Sequence, residues 1–255
     1  MRLNPRLIAV LLAGVAVTTA CAAASSPEEP ANVAAAAADP ARARDAAVDA
    51  RRHGPEILTF AGLEKGATVI DLIPGGGYWT RLFAKAVGPQ GHVYGIWPRP
   101  YAAEAKTDVE TYTALAGSTD FPNVTATIEA ADQVAAPVKA DIVFTAQNYH
   151  DYPDKFMGSI DPAVLNKAVF AALKPGGTFL VIDHVAAAGS GMRDTDTLHR
   201  IDPAIVKSQV TAAGFEFVGE SKLLANPADD HSKAVFDKTI RGKTDQFIYK
   251  FRKPG

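Results

Sequence analysis

Cysteine is almost missing from this chain: there is one, Cys21, in 255 residues. That excludes an internal disulfide framework and any metal site built on several thiolates. Apolar runs are short as well. The most apolar, residues 7–17, spans roughly eleven residues, well under the ~20 that a membrane-spanning helix needs. Neither sign of charge dominates, since 26 Lys and Arg stand against 28 Asp and Glu. With no basic stretch to follow a phosphate backbone, a nucleic-acid partner is not expected.

The N-terminus has the form of a targeting segment. "MRLNPRLIAVLLAGVAVTTACAAASS" places Arg2 and Arg6 before the apolar run and small residues after it. Residues 1–22 read as a signal peptide, with Ala20-Cys21-Ala22 satisfying the A-x-A cleavage rule, so export to the periplasm is expected. Cys21 offers a second fate, a lipid anchor, although the leucine of a lipobox is missing three residues before it. Cleaved or acylated, the exported chain has no free thiol. Residues 23–39 are mostly Ala, Ser, Pro and Glu and read as a flexible leader. A single domain then covers 40–255, opening with lead-in helices over 40–65. Asp39 is the expected N-cap, with Pro40 at the first helical position.

From residue 67 onward, strand and helix signals alternate. Apolar runs at 67–72, 92–97, 124–128, 140–145 and 177–184 predict strands. Helical patterns lie between them at 78–87, 102–116, 131–134 and 162–173. Alternation of this kind predicts an α/β fold with a parallel sheet covered on both faces. After a helix opened by Asp202-Pro203, the segments "FEFVGESKLL" and "DQFIYKFRK" alternate in polarity and predict an antiparallel pair at one sheet edge.

The stretch "VIDLIPGGGYWT" reads as a strand, a glycine turn and a helix, and "LKPGGTFLVIDH" reads as a turn into a later strand. Together with the strand pattern these resemble the class I S-adenosylmethionine-dependent methyltransferases over about residues 55–252. With "NYHDY" and "LHRID" they resemble a branch of predicted, exported bacterial members. The resemblance implies a Rossmann-like, doubly wound, mostly parallel seven-stranded sheet with an antiparallel C-terminal pair. It implies S-adenosylmethionine as cofactor and methyl transfer to a small-molecule acceptor, through an O or N nucleophile. A non-catalytic exported binding protein on the same scaffold is the alternative.

The family pattern D/E-x-G-x-G-x-G falls on Asp71, Ile73, Gly75 and Gly77, so Ile73 replaces the first glycine. The resemblance implies that Asp71 faces the cofactor's ammonium group and that Gly75 and Gly77 let the backbone approach it; the alternative is a plain strand-to-helix turn. Pro74 should hold Ile73 extended. Tyr78 joins the cofactor candidates. Trp97 stands where the family places the ribose carboxylate, as a stacking face or as core. Asp132 falls at the adenine position, or caps a helix.

Ligands in such sheets bind beyond the carboxyl ends of the strands. That points to the polar, aromatic segment 147–152, with Asn148 toward the cofactor and Tyr149, His150 and Asp151 as catalytic candidates. His150 is the expected base, oriented by Asp151, with His184 and His199 as alternatives. Arg200 could hold an acidic group of the acceptor, and the Gly-rich segment before it could form a lid. A cluster of His and carboxylate also suits metal-assisted O-methylation, but no H-x-H or H-x-x-x-H spacing supports one, so no metal is expected.

Overall fold

The computed structural model describes residues 29–255. The expected signal peptide, Cys21 and the first residues of the leader lie outside them. In chain order the strands are β1 (Thr68–Leu72), β2 (His92–Pro98), β3 (Val124–Glu129), β4 (Ala140–Ala146), β5 (Leu173–His184), β6 (Glu216–Ser221) and β7 (Gln246–Arg252). They form one sheet in the order β3-β2-β1-β4-β5-β7-β6. The first five are parallel, and β7 runs antiparallel between β5 and β6. This is the Rossmann-like, mostly parallel seven-stranded sheet with an antiparallel C-terminal pair. Burial explains the two sequence patterns. β1 and β4 are mostly apolar and buried along most of their length because both faces are covered, whereas edge strand β6 alternates between exposed and half-buried residues.

Helices flank the sheet: α1 (Ala31–Ala37), α2 (Ala46–Arg52), α3 (Gly54–Ala61), α4 (Tyr78–Val87), α5 (Arg99–Glu104), α6 (Lys106–Leu115), α7 (Pro162–Ala172), α8 (Thr195–Leu198) and α9 (Pro203–Ala212). The triplet Asp-Pro-Ala occurs at the start of a helical segment three times. Asp39, Asp161 and Asp202 each accept the backbone N–H of the alanine two residues on, with proline at the first helical position. Among the described residues, no helix is long and apolar enough to cross a membrane.

Three expectations are corrected. Residues 31–37, read as flexible leader, form α1. Its alanines favour helix, its Val33 and Ala36 are buried, and Asn32 Nδ2 donates to the Ala86 carbonyl at 3.1 Å. The pattern over 102–116 is broken at Ala105 into α5 and α6. Residues 131–134 make a turn and no helix, so Asp132 caps nothing.

The lead-in segment matters because polar side chains fasten it to α4. Arg81 grips Asp45 with two hydrogen bonds of 2.7 and 2.6 Å. Asp49 joins Arg42 and the Tyr78 hydroxyl, each at 2.7 Å. Arg81 also donates to the Gly76 carbonyl at 2.8 Å, so the same guanidinium ties the glycine turn to the lead-in helices. The strand order reverses at β1 and β4, and the crevice at their carboxyl ends is closed on one side by α2.

Candidate functional site

A cavity of about 710 Å³ opens at that crevice, within the ~300–1,000 Å³ of small-molecule sites. Its floor is the turn after β1, where Ile73, Pro74, Gly75 and Gly76 line the space. Ile73 is not extended, as its proline neighbour would favour, but has φ +55°. Its N–H donates to the Ile96 carbonyl at 2.9 Å, which fixes the turn against β2. A β-branched residue there costs about 1–2 kcal/mol. The backbone thus takes at Ile73 the left-handed shape that a glycine would adopt freely.

The two glycines have different jobs. A Cβ on Gly75 would meet nothing within 4 Å, so its free face is open to the cavity. A Cβ on Gly77 would lie 2.7 Å from Leu115 Cδ2, because α6 packs directly on it. Gly77 therefore admits a helix and does not line the cavity. Asp71 also misses the cavity. It is buried and accepts a 2.5 Å hydrogen bond from Thr80 Oγ1. Burial drives its pKa up to about 7, against the Thr80 hydrogen bond and the charge of Arg52.

The sign of the pH effect follows. Between about pH 4 and 7 the folded chain keeps a proton on Asp71 that the unfolded chain has released. Stability from this group is therefore complete at low pH and is lost as pH rises through that window, by up to about 1.4 kcal/mol per unit. Asp71→Asn removes that loss. Its melting temperature relative to the parent should rise from pH 4 to pH 8; parallel profiles would contradict this.

Trp97 is core. It packs against Tyr101 and Tyr112 at ring separations of 6.0 and 6.3 Å and does not reach the cavity. Asp132 is exposed on its turn, away from the cavity. The carboxylates that do stand on the rim are Glu104 and Asp108, on α5 and α6. The signal for them in the sequence is a pair of carboxylates four residues apart in the helical segment that follows β2. Arg52 of α2 was missed too. Its guanidinium lies 5.2 Å from the centre of the Tyr78 ring and, among the described residues, has no ion-pair partner.

The opposite wall is built by the turn after β4 and the end of β5. Asn148, His150 and Asp151 line it, together with His184, His199 and Phe236. Tyr149 turns the other way: it is fully buried, its hydroxyl meets Asn166 at 2.8 Å and Gln209 at 3.1 Å, and it does not line the cavity. The residue that orients His150 is Asp183, not Asp151. Asp183 Oδ1 accepts from His150 Nδ1 at 2.8 Å, while Oδ2 accepts the His150 backbone N–H at 2.9 Å. This leaves Nε2 facing the cavity, 3.3 Å from both His199 Nδ1 and Asp151 Oδ1.

Burial alone would lower the His150 pKa; the charge and hydrogen bond of Asp183, then Asp151 and Asp154, overcome it and push it up to about 9. The Asp183 carboxylate thus favours the protonated ring. His184 is the reverse case. Burial pushes it down to about 4 against the pull of Asp183, and its Nδ1 contacts Thr244 Oγ1 at 2.8 Å.

Arg200 is fully buried and spent on Asp229, at 2.9 and 3.1 Å, and on the carbonyls of Lys233 and Val185. It is unavailable to an acceptor. The segment before it is tied down by Asp202, which accepts the Gly189 N–H at 2.8 Å, and by Thr195 donating to Asp154 at 2.7 Å. It delivers His199, in a left-handed conformation at φ +53°, to the cavity wall. His231 pairs with Asp245 at 3.0 Å and stays outside.

No protein-family model matches the sequence, and no curated protein does either. Solved structures do resemble it. A SAM-dependent methyltransferase from Aquifex aeolicus is 18% identical, with 84% of this chain and 93% of that one aligned and a TM-score of 0.57. The glycopeptide N-methyltransferase MtfA, complexed with sinefungin, is 14% identical over 80% of this chain and 87% of its own, with a TM-score of 0.54. The cyclase SpnF is 18% identical over 80% and 81%, with a TM-score of 0.60. These likenesses establish the methyltransferase Rossmann-like fold. A cyclase among them illustrates that fold and reaction are separable.

Proposed function

We propose that this chain is an S-adenosylmethionine-dependent methyltransferase of the bacterial envelope, acting on a small-molecule acceptor. One observation carries the reading. The open face of Gly75, in a methyltransferase-type turn, and the Asp183-oriented His150 look into the same cavity. The wall residues suit the cofactor. Arg52 offers an unpaired guanidinium for its carboxylate, and Glu104 and Asp108 offer acceptors for the ribose hydroxyls in place of the missing carboxylate at Trp97. Gly75 and Gly76 leave room for close approach, and Asn148 supplies an amide beside them. When bound, the cofactor supplies an electrophilic methyl group on a sulfonium sulfur.

The protein's part is alignment and exclusion of water. His150, Asp151 and His199 face the acceptor's nucleophile, and Phe236 and Val235 screen them. A smaller lobe of about 290 Å³ adjoins, sharing Arg52, Gln147 and His184 and adding Arg241 and Gln246. It offers the acceptor a polar, positively charged seat. Residues 1–22 direct export, with cleavage after Ala22 or lipidation at Cys21.

Titration calorimetry with S-adenosylmethionine, S-adenosylhomocysteine and NAD tests the proposal. Heat is expected from both sulfur ligands and none from NAD. Silence from both sulfur ligands at millimolar concentration would reject it in favour of a non-catalytic scaffold.

A further inference from the structure

Three potential ligand atoms converge on one wall of the cavity. His150 Nε2 lies 3.3 Å from His199 Nδ1 and 3.3 Å from Asp151 Oδ1, and the last two are 3.8 Å apart. A tetrahedral ion with bonds of about 2.1 Å has ligand atoms about 3.4 Å apart, so this triangle is close to one face of such a shell. A point roughly 2 Å from all three atoms exists near their plane, with the cavity on its open side. From these distances we infer that His150, Asp151 and His199 form a binding site for a divalent first-row transition metal of the zinc type.

The surroundings have the form a metal site needs. Imidazole and carboxylate ligands suit zinc, iron and nickel, whereas an all-oxygen set would suit magnesium or calcium. His150 is held through its other nitrogen by Asp183, the carboxylate–histidine arrangement that orients a ligating ring. Asp151 is oriented in turn, its Oδ2 accepting from Asn148 Nδ2 at 3.3 Å. The His199 ring is steadied edge-on by Phe236, with ring centres 4.8 Å apart. Asp183 and Asp154 add negative charge beside the one carboxylate and two imidazole ligands. Sequence spacing hid the site: two ligands are adjacent in one turn, and the third comes from the segment after β5.

With three protein ligands the ion keeps a position open to the cavity. On the methyltransferase reading, on which only this role rests, a hydroxyl oxygen of the acceptor takes that position. Its O–H bond breaks as the O–metal bond forms, and the proton leaves to water. The same coordination relieves His150 of acting as the base.

The test uses the full chain, untagged, carrying Cys21→Ser so that no thiol competes, stripped of metal and titrated with Zn²⁺ alone. One equivalent is expected to bind with Kd below about 1 μM. His199→Ala, at a half-exposed position, should weaken binding at least tenfold while melting at the parent's temperature without metal. Asp183→Asn should weaken it by about 10- to 100-fold. Absence of binding at 100 μM Zn²⁺, or an affinity unchanged in His199→Ala, would overturn the site; the latter would point to His231 and Asp245 instead. S-adenosylhomocysteine titrated into the metal-free chain reads the methyltransferase proposal separately.

Discussion

Gly75→Val is expected to abolish S-adenosylhomocysteine binding, with an affinity loss of at least about 100-fold, while the chain remains folded. An added Cβ meets no protein atom within 4 Å, and Gly75 lines the cavity, so the larger side chain is expected to occupy space over the turn where the cofactor's backbone contacts would form. Its strain at φ +55° costs about 1–2 kcal/mol, which lowers the melting temperature without unfolding a domain of this size. Gly77→Val makes the contrast. There the side chain drives into Leu115 and Tyr112 at φ +80°, and stability should fall by about 3 kcal/mol or more. Calorimetry and thermal melts on the two variants separate ligand exclusion from misfolding. A Gly75→Val chain that binds like its parent would remove this turn from the cofactor site.

His150→Ala is expected to lower methyl transfer by about 10²- to 10⁴-fold while leaving affinity for S-adenosylhomocysteine nearly unchanged. The ring stands on the wall built by the turn after β4, opposite the turn that carries Gly75, so its loss is expected to touch the nucleophile's surroundings more than the cofactor's. Asp183, fully buried, acts through His150 as a positioning residue. Asp183→Asn should reduce kcat in the same direction with the cofactor's KM preserved. Transfer of a labelled methyl group from S-adenosylmethionine into a small-molecule extract provides the assay. Equal incorporation by parent and His150→Ala would remove His150 from the reaction.

Much of the fold was legible because burial on both faces leaves a local signature. Continuous apolar runs marked β1, β2, β4 and most of β5, and polar alternation marked β6 and β7. α1 was not legible, since a run of alanines has the composition of a linker until a single valine finds a groove. The site was legible only in part, and the physical reason is the same at each position. Sequence shows which residues follow a strand but not which way a side chain turns. Tyr149 and His150 are neighbours, yet one packs behind the sheet and the other faces the cavity. Asp71 and Trp97 occupy functional positions of the family pattern but are sealed inward, by Thr80 and by Tyr101 with Tyr112. The residues proposed in their place, Arg52, Glu104 and Asp108, come from helices whose approach to the cavity is a tertiary matter. Asp183 was visible at the end of β5, but its hold on His150 spans 33 residues.

The central claim is that the cavity over Gly75 holds the methyl donor, and a crystal structure of the chain with S-adenosylhomocysteine tests it most directly. The ligand should lie along Gly75 and Gly76, with its carboxylate at Arg52, its ribose at Glu104 or Asp108, and its sulfur toward the His150 wall. Ligand at millimolar concentration that leaves this cavity empty, or sits elsewhere on the molecule, would contradict the account.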